Sequence, residues 1–201
     1  MALELNPGVT LYLARHGETE ANVGLRFSGK RDTPLTDRGL AQARAVGEIL
    51  KRELGMQPKL NFVTSPLARA RLTMEIVLSV LGLPENDYTT DPRIQEIDLG
   101  EWDQLTKAEA RALNPALFDA READKWNVHV PGGENHMEVA ARASAWVHDL
   151  EQDTFAVSHG ALTRVLRGLF MGLDPEAMGD LGEPQGVVFR IRDNKVERLD
   201  P

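Results

Sequence analysis

The chain has 201 residues, 42% hydrophobic and 27% charged, with a formal net charge of −8 and no cysteine. This length and balance fit one globular domain with a sizeable core, and the missing thiols exclude disulfides, thiolate catalysis and Cys-ligated zinc. The acidic balance argues against nonspecific nucleic-acid binding, and no apolar run reaches the roughly 18 residues of a membrane span. The opening MALELNPGVT has neither the basic nor the apolar part of a secretory leader, so a cytoplasmic protein is the expectation.

In chain order, GVTLYLAR reads as a buried strand that stops abruptly at Arg15-His16-Gly17. TDRGLAQARAVGEILKRELG predicts a helix, with Thr36 as N-cap, Gly55 as terminator, and Leu40, Ala43, Val46, Leu50 and Leu54 on one face. LNFVTS is a second strand. SPLARARLTMEIVLSVLG is a second helix, with Ser65 as N-cap, Pro66 at its first position, Gly82 as terminator, and Leu67, Ala70, Met74, Val77 and Leu81 buried. A strand is expected around TTDPRIQE, then an irregular section over 97–135 with weak helical patterning in TKAEARALN. NHMEVAARASAWVHDLE predicts a helix burying Val139, Ala143, Trp146, Val147 and Leu150; DTFAVS is a strand and GALTRVLRGLFMG the helix directly after it. GVVFRIRDNKVERLD reads as a hairpin turning at Asp193-Asn194. Strands alternating with helices predict an α/β fold, a three-layer sandwich with a mainly parallel central sheet flanked by helices. One domain over 1–201 is expected, with 97–135 as a lid-like insertion over a sheet edge.

Three strand-to-helix junctions carry chemistry: Arg15-His16-Gly17, Ser65 to Arg69, and Ser158-His159-Gly160. Parallel neighbouring strands would bring two histidines, two arginines and helix N-termini together, at the end of the sheet where such folds hold ligands. Helix N-termini and guanidinium forks suit phosphate oxygens. A neutral imidazole is a competent nucleophile toward phosphorus, and nearby guanidinium charge would keep His16 neutral. A positively charged or donating His159, with Arg15 and Arg69, would hold the equatorial oxygens. The leaving oxygen needs a proton, for which RIQEIDLGEW offers Glu96, Asp98 and Glu101; spacing does not choose among them. No metal is expected, because no carboxylate stands at ligand spacing and the arginines would repel a cation. His129, His136 and His148 receive no role, and Trp102 and Trp126 are expected to pack.

LARHGETEAN, RFSGKRDTPLTDRGLAQA, TSPLARARLT, EIDLGEW, PGGEN and VSHGALTRVL occur in this order. Together they resemble the histidine phosphatase superfamily, in its phosphoglycerate-mutase-like branch, from about Val9 to Phe189. The resemblance implies that His16 is the phosphorylated nucleophile, that Arg15, Arg69 and His159 form the phosphate pocket, and that Glu96 is the proton donor. It also implies phosphate or substrate contacts for Asn22, Thr19, Ser28, Gly29 and Gly160. The expected protein is a cofactor-free, metal-independent phosphomonoesterase acting through phosphohistidine on a small phosphorylated metabolite; a homodimer is the family-level expectation.

A bisphosphoglycerate-dependent phosphoglycerate mutase is the alternative. Mutases of this branch carry a basic, aromatic pair after the acid glutamate, where this chain has Ile97-Asp98-Leu99, and a longer insertion with paired arginines, which the 97–135 section lacks. A catalytically inactive phospho-ligand binding protein is the alternative of another class. Retention of His16, Arg15, Arg69, Glu96 and His159 together argues against it.

Overall fold

Along β1 (Leu11–Arg15) successive side chains point to opposite faces. Leu11 and Leu13 enter one apolar core, with Ala156, Val139, Val147, Leu162 and Leu166. Tyr12 and Ala14 enter another, with Val46, Leu50, Met74, Val77, Phe155 and Val157. A sheet buried on both faces needs a helical layer on each side. The computed structural model, which describes residues 3–201, has that three-layer α/β architecture.

The other strands are β2 (Asn61–Thr64), β3 (Thr89–Thr90), β4 (Thr154–Ser158), β5 (Val188–Arg192) and β6 (Lys195–Leu199). The helices are α1 (Glu20–Val23), α2 (Asp37–Leu54), α3 (Ala68–Leu81), α4 (Lys107–Leu113), α5 (Pro115–Ala123), α6 (His136–His148), α7 (Gly160–Phe170) and α8 (Pro175–Gly179). The sheet order is β3-β2-β4-β1-β5-β6. β1, β2, β3 and β4 run parallel, while β5 pairs antiparallel with β1 and β6 with β5. The last two form the expected hairpin, turning at Asp193 and Asn194 with φ of 49° and 59°, the left-handed pair that matches strand twist.

The helix faces follow the apolar periodicity, with two differences. On α2, Ile49 is fully buried and Leu40 and Leu54 only half so, because the helix turns its Ala43–Val46–Ile49–Leu50 stripe to the sheet. α3 begins at Ala68, not at Ser65 or Pro66, and its capping residue Leu67 offers no side-chain acceptor. Asp32 takes that place from a distant loop: its carboxylate accepts from the Ala68 and Arg69 N–H groups at 2.8 and 3.3 Å.

The strand expected around TTDPRIQE shrinks to β3 and a 3-10 turn over Pro92–Ile94. Pro92 has no N–H for a ladder, and the Asp91 side chain accepts from Arg93 N. The 97–135 section is more helical than its patterning suggested. α4 starts with a reciprocal Thr106–Glu109 cap, and α5 with Asn114 as cap and Pro115 in its first turn. Trp102 packs between the rings of Phe27 and Phe118, with centroids 5.9 and 5.4 Å away.

Candidate active site

The parallel register sets Arg15 beside Ser158, and His16 N donates to the Ser158 carbonyl at 2.9 Å. The His16 and His159 rings therefore lie 5.1 Å apart, near edge-to-face. His16 is buried, and its Nδ1 stands 2.7 Å from the Gly17 carbonyl. A carbonyl only accepts, so Nδ1 carries the proton and Nε2 keeps its lone pair. Burial first, then the Arg15 and Arg69 charges, holds the imidazole well below its ordinary pKa, in the neutral form.

The Gly17 turn lies against the first turn of α2. A Cβ on Gly17 would come within 2.2 Å of the Gly39 carbonyl oxygen, and one on Gly39 within 2.1 Å of the Glu18 carbonyl oxygen. The absent side chains make room for this backbone-on-backbone contact.

Arg69 is buried, and its fork is engaged by the chain. Nε donates to His16 Nε2 at 3.2 Å, Nη1 to the Arg31 carbonyl and the Asp32 carboxylate at 3.1 and 3.0 Å, and Nη2 to the Gly29 carbonyl at 2.6 Å. This arginine thus ties the 29–32 loop to the His16 nitrogen that has the lone pair. His159 Nε2 lies 2.7 Å from Ser65 Oγ, and its buried Nδ1 has no partner. Burial, then Arg69, holds His159 well below its ordinary pKa. Of the two forms expected for it, the neutral one is favoured.

A cavity of about 280 Å³ has Arg15, Asn22, Ser28 and Glu96 among its walls. Ser28 Oγ and Arg15 Nε are buried without partners. Thr19 is on no wall of this cavity; it caps α1, and Asn22 returns the bond to Thr19 N. Gly160 leads α7, where a Cβ would come within 2.2 Å of Glu183 Oε2.

Glu96 is buried, and its carboxylate accepts from Ile97 N at 3.0 Å and, at the start of α7, from Ala161 and Leu162 N at 3.3 and 3.4 Å. Burial and the neighbouring Glu183 push its pKa up, against the Ile97 N–H, Arg15 and Arg69. The two competing carboxylates stand elsewhere. Asp98 pairs with Lys30 at 2.6 Å and Glu101 is exposed. The PGGEN block braces Glu96 from behind. Glu134 binds Arg142 at 2.9 and 3.0 Å, and Arg142 donates to the Arg93, Gln95 and Glu96 carbonyls at 2.7, 2.8 and 3.1 Å.

Several residues of the site were not foreseen. Glu183, on the loop after α8, accepts Arg15 Nη1 on its carbonyl at 2.7 Å, and its carboxylate pairs with Arg164 at 2.9 Å. Gln185 donates to the His16 carbonyl and to Asn22 Oδ1, both at 3.1 Å. His136, given no role, is buried on the cavity wall near Arg164 and Arg121. A larger cleft of about 650 Å³ shares Glu122, Lys125, His136 and Arg164 with this cavity but reaches neither Arg15 nor Glu96.

The sequence matches the histidine phosphatase superfamily (branch 1) over residues 11–195. It is 34% identical to a glucosyl-3-phosphoglycerate phosphatase of Mycolicibacterium vanbaalenii, over 88% of this chain and 82% of that protein. It is also 34% identical to a 2,3-bisphosphoglycerate-dependent phosphoglycerate mutase of Brucella melitensis, over 90% and 92%. Among solved structures, a putative alpha-ribazole-5'-P phosphatase from Escherichia coli superposes with a TM-score of 0.83 at 26% identity, covering 98% of this chain and 97% of that one. A mycobacterial glucosyl-3-phosphoglycerate phosphatase in complex with VO3 superposes with a TM-score of 0.76 at 30% identity, covering 96% and 98%.

Proposed function

The chain belongs to the histidine phosphatase superfamily (branch 1), and from that membership we propose a metal-independent phosphomonoesterase of small phosphorylated metabolites in which His16 is the nucleophile. His16 Nε2 attacks phosphorus in line and the ester P–O bond breaks. Glu96 gives its proton to the leaving oxygen. The phosphorylated ring is cationic, and the Gly17 carbonyl already accepts from Nδ1, where that charge grows. Water then attacks phosphorus, Glu96 as carboxylate takes its proton, the N–P bond breaks, and His16 returns neutral with phosphate released.

Arg15, His159 Nδ1, Asn22 and Ser28 hold the phosphoryl oxygens. Arg15 Nε, His159 Nδ1 and Ser28 Oγ are buried without partners, which supports this assignment. Arg69 exchanges its contact with His16 Nε2 for a phosphoryl oxygen as substrate enters. Thr19, Gly29 and Gly160 shape the pocket: Thr19 through the α1 cap, Gly29 through its carbonyl on Arg69, and Gly160 through the room it leaves at the start of α7.

The observation that carries this reading is the Nδ1–carbonyl bond of 2.7 Å, which fixes the tautomer so that Nε2 can attack. Rapid quenching with a labelled phosphomonoester tests it. An acid-labile, base-stable phosphoenzyme should form in the wild type and be absent from His16→Ala. An acid-stable label, or none, would sink the mechanism. Activity should survive EDTA and be inhibited by vanadate, whose five-coordinate geometry mimics the transition state.

The mutase reading is kept alive by the Brucella relative. With 3-phosphoglycerate and a bisphosphoglycerate primer, a mutase forms 2-phosphoglycerate, whereas the proposed enzyme releases phosphate. No turnover of any phosphomonoester would leave the inactive binding protein. A homodimer in the cytoplasm, with no nucleic-acid partner, completes the proposal; light scattering of the purified protein tests the dimer.

A further inference from the structure

In the proposed reaction Asn22 is among the residues that hold the phosphoryl oxygens. Its side-chain amide has one end that donates and one that only accepts. Which end meets the cavity decides whether Asn22 attracts a phosphate oxygen or repels it. Thr19 N donates to Asn22 Oδ1 at 3.1 Å. A backbone N–H only donates, so this end of the amide is the oxygen. Gln185 Nε2 donates to the same Oδ1 and to the His16 carbonyl, both at 3.1 Å. Both of these are acceptors only, so the Gln185 amide is fixed as well, with one N–H on each. Two donors thus fill the lone pairs of Asn22 Oδ1. Nδ2, which only donates, is left for the cavity that Asn22 lines.

Thr19 alone would hold this amide from within α1, a helix of four residues with little cooperative support of its own. Gln185 comes from the other end of the chain, on the loop between α8 and β5. That loop is fastened to α7 by buried Arg167, which donates to the Gly182 carbonyl and, through Nε, to the Thr163 carbonyl at 3.2 Å. The Arg167 guanidinium also lies 4.2 Å over the Phe189 ring. The same loop receives Arg15 Nη1 on the Glu183 carbonyl at 2.7 Å.

We propose that Gln185 is a positioning residue of the phosphate site: it turns the Asn22 amide so that Nδ2 faces the phosphoryl group, and it ties that amide to the backbone of His16. This deepens the phosphatase reading and rests on it. Gln185 touches no phosphate itself; it acts through Asn22, by holding a donor in place before the anion arrives.

Calorimetric titration of inorganic phosphate into the wild type, Asn22→Ala, Gln185→Met and the double variant tests this. Methionine keeps the length of glutamine and removes the donor. Asn22→Ala should weaken phosphate binding about ten- to a hundredfold, the range of a hydrogen bond to a charged group. Gln185→Met should weaken it about three- to tenfold where Asn22 is present, and less than about twofold where Asn22 is already Ala. A purely structural residue would cost the same in both backgrounds. Equal losses in the two backgrounds overturn the proposal, as does unchanged binding in Gln185→Met. Unchanged binding in Asn22→Ala removes the donor that Gln185 would orient, and overturns it too. The phosphatase reading survives each of these results. If the wild type binds no phosphate, that reading and the proposal fall together. Where Asn22→Ala or Gln185→Met does not fold, Asn22→Ser or Gln185→Glu takes its place in the cycle. The glutamate charge weakens phosphate in both backgrounds, and the excess loss must still appear only with Asn22. If the replacements do not fold either, the residue is structural and the proposal is overturned.

Discussion

Glu96 and Glu183 are neighbouring carboxylates with different surroundings. Glu96 is buried against the start of α7, while Glu183 is partly exposed and faces Arg15 and Arg164. The acid role assigned to Glu96 depends on its proton. Glu96→Gln should slow cleavage of an alkyl phosphate by about 10²–10⁴-fold. It should slow release of p-nitrophenolate far less, since that group leaves without a proton. Single-turnover kinetics on both esters checks this, and equal slowing would remove Glu96 from the acid role. Glu183 raises the Glu96 pKa, so Glu183→Gln should lower it. The protonated acid would then be lost at lower pH, and the alkaline limb of the pH–rate profile for an alkyl phosphate should move in the acid direction. Inorganic phosphate should also inhibit this variant more tightly, because Arg15 and Arg164 lose a competing carboxylate. A limb that does not move would mean that another group titrates.

At the scale of elements, the His16–Gly17 turn is held by the first turn of α2 rather than by its own helix. Gly39→Ala tests this. The new Cβ would meet the Glu18 carbonyl oxygen at 2.1 Å, and backbone must shift to admit it. Stability should fall by about 1–3 kcal/mol, as in other overpacked sites, and kcat should fall as well because His16 moves with the turn. Urea denaturation and steady-state rates measure the two effects, and a variant as stable and as active as the wild type would disprove the contact. β1, β4, α3, α6 and α7 were legible because each buries a face that its own periodicity declares, and their register alone brings His16 beside His159. The choice of Glu96 over Asp98 and Glu101 was not legible from spacing, because it turns on which carboxylate meets the distant start of α7. Asp32 capping α3, Gln185 on His16 and Glu183 on Arg15 were missed for the same reason. Each joins a loop to a site between 36 and 169 positions away, with no local pattern to mark it. Arg121 was not singled out, because nothing in PALFDAREA says that the segment packs over a cavity.

Across the whole molecule, an acidic chain concentrates cations and neutral histidines at one end of its sheet. The histidines make stability depend on pH. His16, His159 and His136 are buried with pKa values below the ordinary 6.5, well below for the first two and about 3 for the third. In the unfolded chain each binds a proton as pH drops through about 6.5, whereas in the folded state each resists until much lower pH. The unfolded state therefore gains protons first. Stability is full above about 6.5 and is lost as pH falls, by up to about 1.4 kcal/mol per pH unit for each histidine once the gap is fully open. Glu96 works the other way. Its raised folded pKa binds a proton before the unfolded carboxyl does, adding stability as pH falls, but it is one group against three. Lowered carboxylates such as Asp91 and Asp98 add to the loss only near and below their ordinary 3.8. Between pH 6.5 and 4.5 the urea midpoint should therefore fall steadily. His136→Gln, which leaves the two central histidines in place, should flatten that fall by roughly a third if the three are equally linked. If the midpoint is constant over this range, or if the His136→Gln slope equals that of the wild type, His136 is not held neutral by the cationic wall of the cavity.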